Sequence, residues 1–117
     1  RDSYIHSSRG YTRDGRIKPD LAAPGVDVYG PGISSVPGDF PYTRMTGSSI
    51  AAAHVAGAAA CLYSWGYVKG NEPSINSRSI KAYLTLGADR IAAYRYPNPE
   101  WGYGMLNLYQ SFLAMRE

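Results

Sequence analysis

Two adjacent hydroxyls, Ser48 and Ser49, follow Gly47 and stand at the mouth of a long apolar run, TGSSIAAAHVAGAAA over residues 46–60. A serine in that place can do one of two things. It can cap the helix, its oxygen accepting a bond from a first-turn amide. It can also act as a nucleophile, because the free amides and positive dipole of a helix start favour an oxyanion forming on an attacked carbonyl. Ser49 suits the second role better than Ser48, since its own N–H would point toward the oxyanion. Gly47 leaves room for a substrate backbone, and the small residues behind the serine keep the approach open. Two rival serine motifs fit poorly. The hydrolase elbow G-x-S-x-G would need glycine where Ala51 stands, and a buried strand where GDFPYTRMT carries Pro41. For S-x-x-K, the spacing from Ser77 to Lys81 is one residue too long.

Other groups with chemistry are few. His54, the one strongly polar residue inside the run, reads as a satisfied core histidine rather than a base, and His6 matches no catalytic pattern. Asp14, Asp20 and Asp27 read as loop and structural carboxylates. Cys61 is the single cysteine, so no internal disulfide can form, and its place in the run suggests a buried structural thiol. The net charge of +3, from 12 basic and 9 acidic residues, is scattered and gives no case for nucleic acid. No stretch approaches the ~18 apolar residues that would cross a membrane. Eleven tyrosines in 117 residues suggest a broad semi-polar contact surface as readily as a core. The opening RDSYIHSSRG has no signal-peptide pattern and no initiator methionine, which leads us to expect a piece of a longer protein.

The elements that must position the serines can be read from the same pattern. Residues 1–24 are punctuated by glycine and proline and read as loop. GVDVY, residues 25–29, alternates enough for a short strand. GPGISSVPGDFPYT holds three prolines and three glycines in 14 residues and reads as an irregular surface segment. From Ser49 to about Tyr63 seven alanines and one glycine predict a thin helix, apolar on all sides and therefore central and buried. The rest of this chain supplies too little sheet or helix to surround it. A second helix is predicted over Ser77–Leu86, with Ile80, Tyr83 and Leu84 inward, Asn76 or Ser77 as cap and Gly87 as stop. After a Tyr/Pro-rich loop, Met105, Leu108, Tyr109, Phe112 and Met115 form a third helical stripe. No repeat or linker divides the chain, so 1–117 is taken as one unit.

GSSIAAAHVAGAAA resembles the nucleophile block of the subtilisin-like serine peptidases, the subtilases, usually written G-T-S-[MI]-[AS]-x-P-H-V-A-G. SSRGYTRDGRIKPDLAAPG, residues 7–25, is similar to the S-S-x-G…K-P-D-[LIV]-x-A-P-G stretch that precedes that block. GYGMLNLYQSF resembles the G-x-G-x-[LIV]-[ND] segment leading into the family's last helix. The three blocks stand in family order from about Ser7 to the C-terminus. Three substitutions depart from the pattern: Ser48 for threonine, Ile50 for the commoner methionine, and Ala53 for proline.

The resemblance implies an α/β class, with this chain as the C-terminal segment of a parallel-sheet, three-layer fold. It contributes the central buried helix, short strands and the terminal helices. It implies a serine endopeptidase in which Ser49 is the nucleophile and gives one oxyanion donor through its N–H. Gly47 and Ser48 form the presenting turn. Tyr42–Thr46, with Met45, forms the wall on the leaving-group side, so Gly47, Ser48 and Met45 are expected substrate contacts. The family's triad runs Asp…His…Ser. Only 48 residues precede Ser49, and none resembles the Asp or His block. The expected partners are therefore a peptide or protein substrate and the upstream half of the same domain, with no nucleic acid and no membrane. No cofactor or metal is expected in this segment, although calcium sites occur elsewhere in the family. Most relatives are secreted, which makes an extracytoplasmic location the expected one. The alternative is a non-catalytic scaffold, pseudoprotease or interaction segment, inactive for want of the Asp and His.

Overall fold

Asp27 decides where the first strand begins. Its φ of 50° lies in the left-handed region, so the extended run expected over 25–29 is interrupted there and β1 spans Val28–Pro31 instead. The computed structural model describes residues 5–116. The first four residues of the predicted 1–24 loop, and Glu117, lie outside the described residues. β1 pairs antiparallel with β2, Tyr42–Met45, in the register Val28↔Met45, Tyr29↔Arg44, Gly30↔Thr43 and Pro31↔Tyr42. The segment read as wholly irregular thus supplies strand at both ends. Pro41 lies just outside β2, where its missing N–H breaks no ladder bond.

Three helices follow: α1, Ser48–Tyr63, which runs on into a π-helical turn at Ser64–Val68; α2, Ser77–Leu86; and α3, Leu108–Arg116. α2 has the predicted bounds, because both of its ends are written in side chains. Asn76 accepts a bond from Ser79 N–H through Oδ1 at 3.0 Å, while Ser79 Oγ accepts from Asn76 N–H at 2.9 Å, a reciprocal capping box. α3 is capped by Asn107, whose Oδ1 accepts from Gln110 N–H at 3.0 Å.

The core gathers Ala58, Leu62, Ile75, Leu84 and Met115, with Val55, Ile80, Tyr83 and Phe112 packed against it. Leu62 is fully buried. Leu62→Ala therefore costs about 2–5 kcal/mol of stability, lost transfer energy plus a cavity, and a denaturant midpoint reads the loss. Gly66 closes the core, because a Cβ there would lie 2.9 Å from Met115 Cε and 3.0 Å from Ile75 Cδ1.

Three burial expectations are corrected. α1 is apolar on all sides as read, yet the described chain covers only the stripe of Ala51, Val55, Ala58, Ala59 and Leu62, and Ala52, Ala53, Ala56 and Ala60 are exposed. Cys61 sits off that stripe and is exposed rather than a buried thiol. His54 is exposed as well; its Nδ1 lies 3.0 Å from the Ile50 carbonyl of its own helix, which satisfies it without a core. In α3 the predicted stripe is also adjusted. Met105 precedes the helix and bridges Ala22 and Asp89, Tyr109 faces outward, and Ser111 is fully buried. Ser111 goes inside because Gly87, at the end of α2, packs directly on its backbone with no Cβ between them.

The class is α/β, as expected. The named strands pair antiparallel, and a parallel bridge between Ala22 and Met105 draws the two ends of the described chain together. Among the described residues no helix is long and apolar enough to cross a membrane.

Candidate active site

β2 carries the chain directly into the serine turn. Thr46 Oγ1 accepts a bond from Asp27 N–H at 2.9 Å, and Gly47 N–H donates to the Gly25 carbonyl at 2.8 Å. These two bonds tie the turn to the loop before β1. Gly25 makes the approach close: a Cβ there would lie 2.9 Å from Gly47 O and 3.2 Å from Ala51 Cβ.

Gly47, rather than Ser48, is the N-cap of α1, and no side chain caps the helix. Ser48 and Ser49 are therefore its first two helical residues. The Gly47 carbonyl accepts from Ile50 N–H at 3.1 Å and from Ala51 N–H at 3.4 Å. The amides of Ser48 and Ser49 precede that first intrahelical bond and have no helical acceptor. No acidic residue sits in the first turn, so the positive end of the dipole is not neutralised there. Gly47 is extended, a backbone open to any residue, and a Cβ there would meet only Ser49 N, at 3.9 Å, in ordinary van der Waals contact.

Ser48 and Ser49 are both exposed at this helix start. Ser48 and Gly47 also line a groove of about 710 Å³, together with Thr46, Ala51, Val55 and Trp101. Met45 is 55% exposed and pairs with Val28 at the end of β2. The expected site residues Met45, Gly47, Ser48 and Ser49 thus form one continuous turn, with the two hydroxyl-bearing residues in different surroundings. Beside the groove, Asp20 holds Lys18 Nζ at 2.7 Å and Lys81 Nζ at 3.2 Å and so fastens the 18–21 stretch to α2. Burial pushes its carboxyl up, but the hydrogen bonds from the two lysines outweigh this and hold it below the ordinary range. A group so placed is a structural tie, as read.

Two contributors were missed from sequence, Gly25 and the backbone of Asp27; Thr46 was expected in the wall, but not its bond from Asp27 N–H. Gly25 stood in plain sight at the end of the K-P-D…A-P-G stretch. Its partner, the Gly47 backbone, is visible only once the loop is folded onto the turn.

The Subtilase family profile matches residues 2–104. Pyrolysin of Pyrococcus furiosus is 34% identical over 118 residues, covering 94% of this chain and 8% of that protein. A subtilisin-like protease of Arabidopsis thaliana, SBT4.14, is 32% identical over 96 residues, covering 75% of this chain and 12% of its own length. Among solved structures the CspB protease of Clostridium perfringens superposes with a TM-score of 0.80 at 37% identity, covering 93% of this chain and 23% of that one. The chain spans less than a quarter of the length of each of these proteins.

Proposed function

Because the chain belongs to the subtilase family, we propose that it is the C-terminal part of a serine endopeptidase domain and that Ser49 is the nucleophile. The observation that carries this reading is the helix start itself: an exposed serine whose own amide has no intrahelical acceptor, at an uncapped N-terminus. Ser49 Oγ attacks the carbonyl of a peptide bond, and the developing oxyanion is received by the Ser49 N–H. The amine product leaves, and water hydrolyses the acyl-enzyme. Both proton transfers need a histidine oriented by an aspartate, which upstream sequence of the same domain supplies. Met45, Ser48 and Gly47 bound the substrate path.

Labelling the full-length protein with a fluorophosphonate, then mapping the adduct by mass spectrometry, tests the assignment. The adduct is expected on Ser49. A folded protein with its own Asp and His that takes no label would be a scaffold or pseudoprotease.

The turn's anchoring gives a separate prediction. Gly25→Ala pushes the Gly47 carbonyl and α1 away from the loop by a few tenths of an ångström and tilts the Ser49 amide. Catalytic geometry is sensitive at this scale, and we expect kcat to fall by roughly 10–100-fold. Steady-state kinetics and the fluorophosphonate labelling rate should fall together; an unchanged labelling rate would refute the anchoring role.

A further inference from the structure

The strand that feeds the serine turn has one edge unused. Gly32 N–H bonds the Pro41 carbonyl at 2.8 Å, which marks 32/41 as a hydrogen-bonded pair. Antiparallel ladders alternate, so 30/43 and 28/45 are bonded pairs and 29/44 and 31/42 are not. The N–H and C=O of Tyr42 and Arg44 therefore point away from β1, along the outer edge of β2. Two-stranded pairing leaves that edge open among the described residues.

The side chains above this edge are prearranged. Tyr29 and Arg44 are directly opposed in a non-bonded pair, where side chains approach most closely, and the guanidinium lies 5.6 Å from the Tyr29 ring centroid. Tyr42 stacks on Tyr29 at 5.8 Å with ring planes 21° apart. Both tyrosines are 65% exposed. Arg44 has no carboxylate partner among the described residues; the ion pairs there engage Arg9, Arg16, Lys18 and Lys81. A planar cation on an aromatic face, with its N–H fork unpaired, matches the geometry of a carboxylate.

We propose that the outer edge of β2 takes the leaving-group side of a peptide substrate as an added strand, and that Arg44, held over Tyr29, selects an acidic side chain there. Strand addition supplies main-chain hydrogen bonds common to every peptide, and the side chains above the edge supply selectivity. Arg44 lies two residues before the Thr46–Gly47 turn, so a peptide on this edge runs straight from the bond that Ser49 attacks. The inference rests on the endopeptidase reading above.

The test uses the full-length protein and internally quenched peptides in which each of the four positions after the cut is Asp, Ala or Lys. At one position at least, kcat/KM should rank Asp over Ala over Lys, with Asp at least tenfold above Ala. Arg44→Gln should bring that ratio to about one, and Arg44→Glu should invert it in favour of Lys, a reversal that simple loss of structure does not produce. A second readout does not depend on cleavage. Fluorescence anisotropy with the Ser49→Ala protein should show an Asp-bearing product-side peptide binding at least tenfold tighter than its Lys counterpart, and Arg44→Gln should abolish the difference. A preference absent from both assays, or unaltered by Arg44→Gln, overturns the role of Arg44 and leaves the endopeptidase reading intact wherever hydrolysis is seen. Selective binding without any hydrolysis or labelling supports the acidic-peptide site and overturns the endopeptidase reading.

Discussion

Ser49→Ala is expected to lower kcat of the full-length protein by on the order of 10⁶-fold, the magnitude known for loss of the triad serine in subtilisin, whereas Ser48→Ala should change it by less than about tenfold. The two hydroxyls are adjacent, so the contrast is informative. Both residues are in the first turn, both are exposed and both have amides without a helical acceptor, but only Ser49 stands where the family resemblance places the proposed nucleophile. Ser48 turns its side of the helix toward the groove under Thr46 and Ala51. On the proposed assignment, removing the Ser49 hydroxyl eliminates the acyl-enzyme route. The amides and binding surfaces remain, and they sustain only a residual acceleration over water. Steady-state turnover of one peptide by both variants decides the matter, with circular dichroism to show that each is folded. Equal and small losses would mean that neither serine is the nucleophile.

Gly102→Ala destabilises the protein by roughly 2–5 kcal/mol, from about 1–2 kcal/mol for a left-handed backbone and about 1–3 kcal/mol for forced repacking. Gly102 has φ +60°, and a Cβ on it would run into the backbone of Pro19 and Asp20. Neither obstacle is a flexible side-chain end that could swing aside. The surrounding bonds are short and reciprocal: Gly102 N–H to Asn98 O at 2.8 Å, Asn98 N–H to Gly102 O at 3.0 Å, and Tyr103 N–H to Asp20 O at 2.9 Å. Relieving the clash would move Leu21 off the core edge and Asp20 off its lysines. Gly15→Ala is the control. Gly15 has φ +85° with nothing near its would-be Cβ, so it pays the backbone strain alone. Denaturant midpoints of the two variants in the full-length protein should differ by the repacking component. Equal midpoints would mean that the 18–21 stretch yields freely.

How much of this was legible in the sequence depended on how local the cause was. α2 was readable to the residue, because Asn76, Ser79, the Ile80–Tyr83–Leu84 face and Gly87 all lie within it or beside it. The family and the helix start at Ser48–Ser49 were readable because the block that carries them is itself a local pattern. The hairpin was not. Its strands are short and rich in glycine and proline, and what holds them is pairing across residues 28–45, which propensity does not see. Asp27 in the left-handed region moved the start of β1 by three residues, although aspartate is only one of several types that visit that region and its neighbours gave no further sign. Cys61 and His54 were misplaced for a different reason. An all-apolar helix predicts an environment, and the chain described here covers only one stripe of it. Arg44 and Tyr29, fifteen residues apart, acquire meaning only from the register that sets them opposite each other.

The ends of the described chain are sewn together far from the β1–β2 hairpin. Ala22 is bonded to Gly104 and Leu106, Gly10 to Pro99, and Asp20 to Tyr103 and Lys81. The hairpin tip, by contrast, stands out in solvent, with Ile33 99% and Phe40 85% exposed. A cut peptide bond between residues 33 and 40 would divide the sequence without dividing the molecule, since the two pieces stay joined through that seam and through the core. In a member of a peptidase family, this is the place where a proteolytic cut would do least harm. It is also where a loop can lengthen from one relative to the next while the serine turn, anchored at Gly25 and Thr46, keeps its shape.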